Sequence, residues 1–163
     1  MPSKDLSTAD WKTYRNEEYG FEFKYPNNLQ YLVDNRWDKY ALMLWDNTNQ
    51  VLFNLLIDYS QDYKQSVQEF VEQMNSYLTE YNKQASPKIT IISTQTTSIN
   101  GRVAIEQQES IDTVPGKSIR TYFKQGNAMC SFDIASGYAN EKGINQSEID
   151  IYYQILSTFK FTN

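Results

Sequence analysis

The chain has 163 residues, and a chain of this length can bury about 70% of its unfolded surface around a single core. Its 40% hydrophobic content, with 13 Tyr, 8 Phe and 3 Trp, is that of a folding chain, while 15 basic against 20 acidic residues, a formal charge of −5 and no basic cluster exclude the electrostatic footprint of a nucleic-acid binder. There is no histidine and a single cysteine, Cys130, which excludes Ser-His-Asp and Cys-His nucleophiles, imidazole acid-base catalysis, histidine-zinc sites and an intrachain disulfide.

Met1 to Asp10 (MPSKDLSTAD) is short and polar and has no place in a core, so it reads as a leader or linker ahead of one domain over residues 11–163. No stretch approaches the ~18 consecutive apolar residues of a membrane span. Trp11 to Tyr14 predicts a short strand. From Tyr19 to Tyr25 the aromatics Tyr19, Phe21, Phe23 and Tyr25 alternate with small or charged residues, a half-buried strand that Pro26 ends. Gln30 to Asp34 predicts another strand. Tyr40 to Trp45 and Val51 to Tyr59 are apolar in both phases, as strands covered on two sides are, and Asp46 to Asn49 between them has the composition of a hairpin turn.

Ser66 to Lys83 predicts a helix: Val67, Phe70, Val71, Met74, Tyr77, Leu78 and Tyr81 fall on one stripe, and Ser66 with Glu69 forms a capping box. Ser86-Pro87 stops it. Lys88 to Ile99 and Arg102 to Gln108 are strands joined at Asn100-Gly101, which accepts the positive φ of a tight hairpin. Pro115-Gly116 closes a loop before a further hairpin, Ser118 to Lys124 and Ala128 to Ala135, turning at Gln125-Gly126-Asn127. A second helix begins at Ser147, with Asp150 three residues on, and carries Ile149, Tyr152, Tyr153, Leu156 and Phe159 on its apolar face. The order strands, helix, strands, helix predicts an α+β sandwich with a mostly antiparallel sheet.

Candidate chemistry is sparse. Cys130 shares a strand face with Ala128, Phe132 and Ile134, which marks a buried, inert thiol. Glu106 with Glu109, or Glu17 with Glu18, are the nearest carboxylate pairs for glycosidase-type hydrolysis, in contexts that solvated charge also explains. Asp34 to Asp38 and Asp46 to Asn49 lack the spacing of a calcium loop, and neither a metal nor a cofactor is expected. Asn145-Gln146-Ser147 matches a glycosylation sequon by pattern, but it also supplies a helix cap, which is the better account of it. Trp37 and Tyr40 flank charged residues at what reads as a loop tip, where aromatics grip a ligand or fold back over the sheet edge. Arg120, Tyr122 and Lys124 form an outward row, read as a solvated strand face. Trp37, Tyr40, Arg120 and Tyr122 are the candidate ligand- or partner-binding residues.

The segment Trp11-x-x-Tyr14-x-Asn16-x-x-Tyr19-Gly20-Phe21-x-Phe23-x-Tyr25-Pro26 resembles the opening of PsbP-like domains. Ile99-Asn100-Gly101-x-x-Ala104 is similar to their central hairpin, and Ile155-Leu156-Ser157-Thr158-Phe159-Lys160-Phe161 to their closing helix and tail. The resemblance implies the Mog/PsbP-type α/β/α sandwich, whose members include photosystem accessory proteins, a Ran-binding transport factor and bacterial lipoproteins of unknown role. The Tyr-, Asn- and Gln-rich composition here looks most like the bacterial envelope group. That group is exported behind a lipoprotein signal, so the resemblance implies a linker at Met1 to Asp10 and an N-terminal lipid tether on the precursor. The metal-site histidines of plant members have no counterpart in a chain without histidine. The expectation is a non-catalytic binding module of the bacterial envelope, with an unidentified protein or small ligand. The alternatives are a carboxylate-dependent hydrolase on glycans and a cytosolic protein-binding adaptor.

Overall fold

The computed structural model describes residues 7–35, 39–46, 51–134 and 143–162. The first strands, β1 (Lys12–Asn16) and β2 (Phe21–Tyr25), pair antiparallel, and β2 buries Phe21, Phe23 and Tyr25 while Glu22 and Lys24 stay partly exposed. Next come β3 (Gln30–Asp34), β4 (Lys39–Trp45) and β5 (Val51–Asp58), then helix α1 (Val67–Gln84). β6 (Ile89–Ile99), β7 (Arg102–Ile111), β8 (Val114–Gln125) and β9 (Ala128–Ile134) follow, then helix α2 (Gln146–Thr158) and β10 (Lys160–Phe161). Strands β1-β2-β10 form a three-stranded sheet and β3-β4-β5-β9-β8-β7-β6 a seven-stranded one, with every pairing antiparallel.

The predicted turns hold for physical reasons visible in the backbone. Asn100 and Gly101 have φ of 48° and 76°, the paired positive angles that make a two-residue hairpin follow the strands' twist. Ser66 caps α1 and forms the reciprocal box with Glu69. At α2 the box is Asn145 with Glu148, two residues earlier than Ser147 with Asp150, and Asp150 lies inside the helix, where it accepts from Gln146 Nε2 at 2.9 Å. β7 and β8 run further than predicted: β8 passes through Pro115-Gly116, which lies within the strand and does not close a loop ahead of it. Gly116 sits there at φ +98° with Gly143 Cα 3.0 Å from where a Cβ would be. β10 adds a strand to β2 where the pattern shows only a tail after α2.

One face of the large sheet carries the larger apolar core. Leu42, Leu44, Phe53, Leu55, Phe123 and Phe132 meet Phe21 and Phe23 of the small sheet and Tyr152, Ile155 and Phe159 of α2. Phe132 is central: its ring lies 4.8 Å from both Phe123 and Phe159 and 5.2 Å from Phe53. The opposite face carries α1, through a smaller cluster of Tyr63, Val67, Val71, Ile105, Tyr122 and Met129. Three layers result: α1, the large sheet, and the small sheet with α2. Phe132→Ala empties the centre of the larger core and is expected to cost about 3–5 kcal/mol in urea unfolding; a loss below about 1 kcal/mol would show that this ring does not organise the core.

Candidate functional site

Alternation along the central strands decides what lies beneath α1. On β9 the positions facing α1 are Met129, Ser131 and Asp133; on β8 they are Arg120 and Tyr122; on β7 they are Ile105, Gln107 and Glu109. At one end this surface is apolar and α1 packs on it. At the other it is charged. Arg120 Nε lies 3.9 Å from Asp133 Oδ2 and its Nη1 3.8 Å from Glu109 Oε1, with Nη1 also donating to Tyr122 Oη at 3.4 Å. Asp133 accepts from Asn54 Nδ2 at 2.8 Å, and Gln107 Nε2 donates to Asn75 of α1 and to Thr94, both at 3.1 Å.

Burial governs the electrostatics. It pushes the Glu109 carboxyl upward, against the pull of Arg120 and with the push of Asp133. Burial likewise raises Asp133, although Arg120 and Asn54 pull it down. Burial works against the Arg120 charge, but Tyr122, Glu109 and Asp133 outweigh it and raise its pKa further. The guanidinium is thus held charged between two acids that resist ionising.

Helix α1 does not seal this surface. Val67 and Val71 are buried, whereas Met74, Tyr77 and Tyr81, on the same stripe, are 37%, 61% and 50% exposed. Two adjacent hollows open below them. One of about 270 Å³ is bounded by Tyr81, Ile89, Ile91 and Glu109; the other, about 500 Å³, by Lys39, Asp58, Tyr63, Gln73 and Asp133. Met74, Tyr77, Arg120 and Tyr122 border both. At the mouth of the larger hollow Lys39 Nζ pairs with Asp58 Oδ2 at 3.0 Å. An aromatic and thioether roof over a floor of hydrogen-bonding and charged groups suits a small amphipathic ligand.

The sequence-predicted site residues divide. Arg120 and Tyr122 come together here, but as the floor of a cleft: the row is covered by α1, and Lys124 Nζ donates to Gln65 O at 3.2 Å. Tyr40 is not at a loop tip. It is the second residue of β4, in phase with Leu42 and Leu44, is 1% exposed, and shares a hydroxyl hydrogen bond with Tyr14. Trp37 lies outside the described residues. Glu106 and Glu109, an odd number of positions apart, sit on opposite faces of the sheet, Glu106 bonded to Tyr153 of α2 and Glu109 beside Arg120, so they do not form a facing pair. Glu17 pairs with Arg15 at 3.6 Å in an exposed turn. Cys130 is buried on the apolar face, and burial pushes its thiol up to about 12. Asp133, Gln107 and Met74 were missed as site residues; a charge in the second phase of the apolar run Ala128 to Ile134 was the available signal. Among the described residues no group of three or more His, Cys, Asp or Glu is placed to hold a metal.

No protein-family model and no curated protein matches the chain. Among solved structures, the cyanobacterial PsbP protein CyanoP of Synechocystis sp. PCC 6803 superposes with a TM-score of 0.62 at 10% identity, over 97% of this chain and 96% of that one. The fold is PsbP-like. A protein of Bacteroides thetaiotaomicron (TM-score 0.47, 11% identity, 93% of this chain, 48% of that one) and the immunity protein TplEi of the Pseudomonas aeruginosa type VI secretion system (0.47, 4%, 88% and 46%) are more distant. At these identities the PsbP-like likeness concerns the fold alone.

Two measurements check the electrostatics. Because folded Glu109 binds its proton more tightly than unfolded Glu109, it favours the native state at low pH and loses that contribution as pH rises from the ordinary carboxylate range through its raised pKa. The stability of Glu109→Gln relative to wild type, from urea unfolding, is therefore expected to increase between about pH 4 and pH 8; a difference that is flat or declines contradicts the assignment. Cys130 is expected to stay unmodified by a thiol reagent at pH 8 in the native protein and to react at once in denaturant.

Proposed function

We propose that the protein is a non-catalytic binding module of the bacterial cell envelope, with the cleft beneath α1 as its ligand site. The observation that carries this reading is the half of α1 that leaves Met74, Tyr77 and Tyr81 uncovered over a half-buried Arg120 held between two acids. A helix whose only task was to close the core would bury its whole apolar stripe. The larger hollow, about 500 Å³, falls within the ~300–1,000 Å³ of small-molecule pockets. Its charges are paired with one another, Arg120 with Glu109 and Asp133 and Lys39 with Asp58, so the floor supplies orientation through hydrogen bonds instead of a strong net field.

The hydrolase reading loses its motivation, since its nearest pairs do not face each other and the guanidinium stands between the two acids that do approach one another. The envelope location rests on the resemblance of the Tyr-, Asn- and Gln-rich composition to the bacterial envelope group of PsbP-like domains.

A fragment screen by protein-observed NMR is the direct test: hits are expected to perturb Met74, Tyr77, Arg120 and Tyr122 together, and Tyr77→Ala to weaken them about tenfold while leaving the unfolding midpoint unchanged. Hits that scatter over the surface, or that ignore Tyr77→Ala, would remove the cleft as a site. Fractionation of the native host tests the location. The protein is expected in the envelope fraction and digestible by protease added to spheroplasts; recovery in the cytosol would favour the adaptor reading.

A further inference from the structure

β6 is the free edge of the seven-stranded sheet, and its sequence, ITIISTQTTSI, has no charged residue, proline or glycine in eleven positions. Exposed edges are ordinarily guarded against another strand by charges, prolines, bulges or cover. Here the guarding is confined to one end. A bulge interrupts the pairing between Ile91 and Ser93, and the Asn82 side chain brackets Ile89, donating to its carbonyl at 2.6 Å and accepting from its amide at 3.0 Å. From Thr94 to Ser98 every residue is exposed. The two-residue Asn100-Gly101 turn closes on the hydrogen-bonded pair Ile99 and Arg102, so alternation directs the backbone N–H and C=O of Ser98, Thr96 and Thr94 off the sheet. The other edge, β3, has only five residues and ends on Asp34.

Beside this open stretch, on the α2 face, lies a groove of about 350 Å³ between β6 and α2, lined by Thr97, Ile99, Glu106, Tyr153 and Leu156. Glu106 is only 4% exposed, yet its hydrogen-bond partners are neutral: Oε1 accepts from Gln95 Nε2 at 2.7 Å and from Tyr153 Oη at 3.0 Å. No lysine or arginine pairs with it among the described residues; Lys160, on the far rim, lies 3.9 Å from Glu22 instead. A nearly buried carboxylate without a counter-charge is costly unless a cation arrives.

We propose that the β6 edge binds an extended peptide by strand addition, with a lysine or arginine of that peptide reaching across the groove to Glu106. The distances fit a long side chain: the added strand lies two strand spacings, about 10 Å, from β7, a gap that a lysine or arginine and a glutamate span from opposite sides. The main chain supplies affinity, and the alternate side chains entering the groove supply selectivity. A second copy of the chain fits less well. It would bring another net charge of −5 and another Glu106, leaving both carboxylates uncompensated. This site lies on the face of the sheet opposite the α1 cleft and stands whether or not that cleft holds a ligand.

The probes are a capped heptapeptide alternating lysine with valine, the same peptide with glutamate for lysine, and the same with serine for lysine. The lysine peptide is expected to slow amide exchange at Thr94, Thr96 and Ser98, and the glutamate peptide to leave it unchanged. Thr96→Pro removes an outward amide without touching the β7 ladder and is expected to abolish binding. Glu106→Gln is expected to weaken the lysine peptide about tenfold and to leave the serine peptide unaffected. Equal binding of the lysine and glutamate peptides, absence of protection on β6, or protection that appears when the protein alone is concentrated and sediments as a dimer would each overturn the proposal.

Discussion

Arg120 is the constraint from which the α1 side of the molecule follows. A guanidinium on the inner face of a sheet must be compensated, and the register supplies the means: Asp133 stands directly opposite on β9, and Glu109 lies diagonally on β7, two residues beyond the partner of Arg120. Three charged groups and their hydrogen-bonding neighbours cannot be roofed by a leucine-like stripe without losing solvation. The helix therefore buries apolar side chains only where the strands offer Ile105, Tyr122 and Met129 to Val67 and Val71; beyond, it meets the sheet through the polar contacts of Asn75 with Gln107 and Asn82 with Ile89 and leaves Met74, Tyr77 and Tyr81 exposed. The cleft is the geometric residue of that compromise.

The other face is closed over its centre because the polar groups there are met internally. Tyr152 Oη bonds to Thr121 at 3.0 Å and to the carbonyl of Phe132 at 3.3 Å, Tyr40 shares a hydroxyl hydrogen bond with Tyr14, and around them lies a continuous aromatic and aliphatic cluster; only toward β6 does a charged group, Glu106, stand beside an open groove. The small sheet is part of the same solution. β10 continues directly from α2 and pairs with β2, so Phe159 and Phe161 are drawn over Phe123, and Arg102 lies 3.7 Å above the Phe161 ring as a cationic cover. The larger core thus lies on one side of the sheet, and the partly open cleft lies on the other.

The sequence disclosed what local physics controls. Period-2 alternation in β2, positive φ at Asn100-Gly101 and the Ser66 box are each determined within a few residues, and the structure reproduces them. It did not disclose what depends on which strands become neighbours. Arg120 looked solvated because a strand pattern reveals two faces without saying what covers either; only the β5-β9-β8-β7 order brings Asn54, Asp133 and Glu109 around it. Tyr40 looked exposed because charged residues precede it, but β4 starts at Lys39 and that start fixes its phase toward the core. The stripe on α1 correctly announced an apolar face, yet periodicity carries no measure of how much partner surface is available to it.

That division explains why a PsbP-like fold persists at 10% identity to CyanoP. The positions that hold the fold are few and chemically permissive: aromatics at alternate places in β2, a glycine that accepts positive φ, caps on two helices, and bulky residues around Phe132. Many sequences meet those conditions. The floor of the cleft is a different matter: a partly buried ion-pair set such as Arg120 with Glu109 and Asp133 is weak support for a fold, since an apolar replacement of equal volume often stabilises as well or better. What those residues do has therefore to be sought in their own chemistry and not in the fold they share.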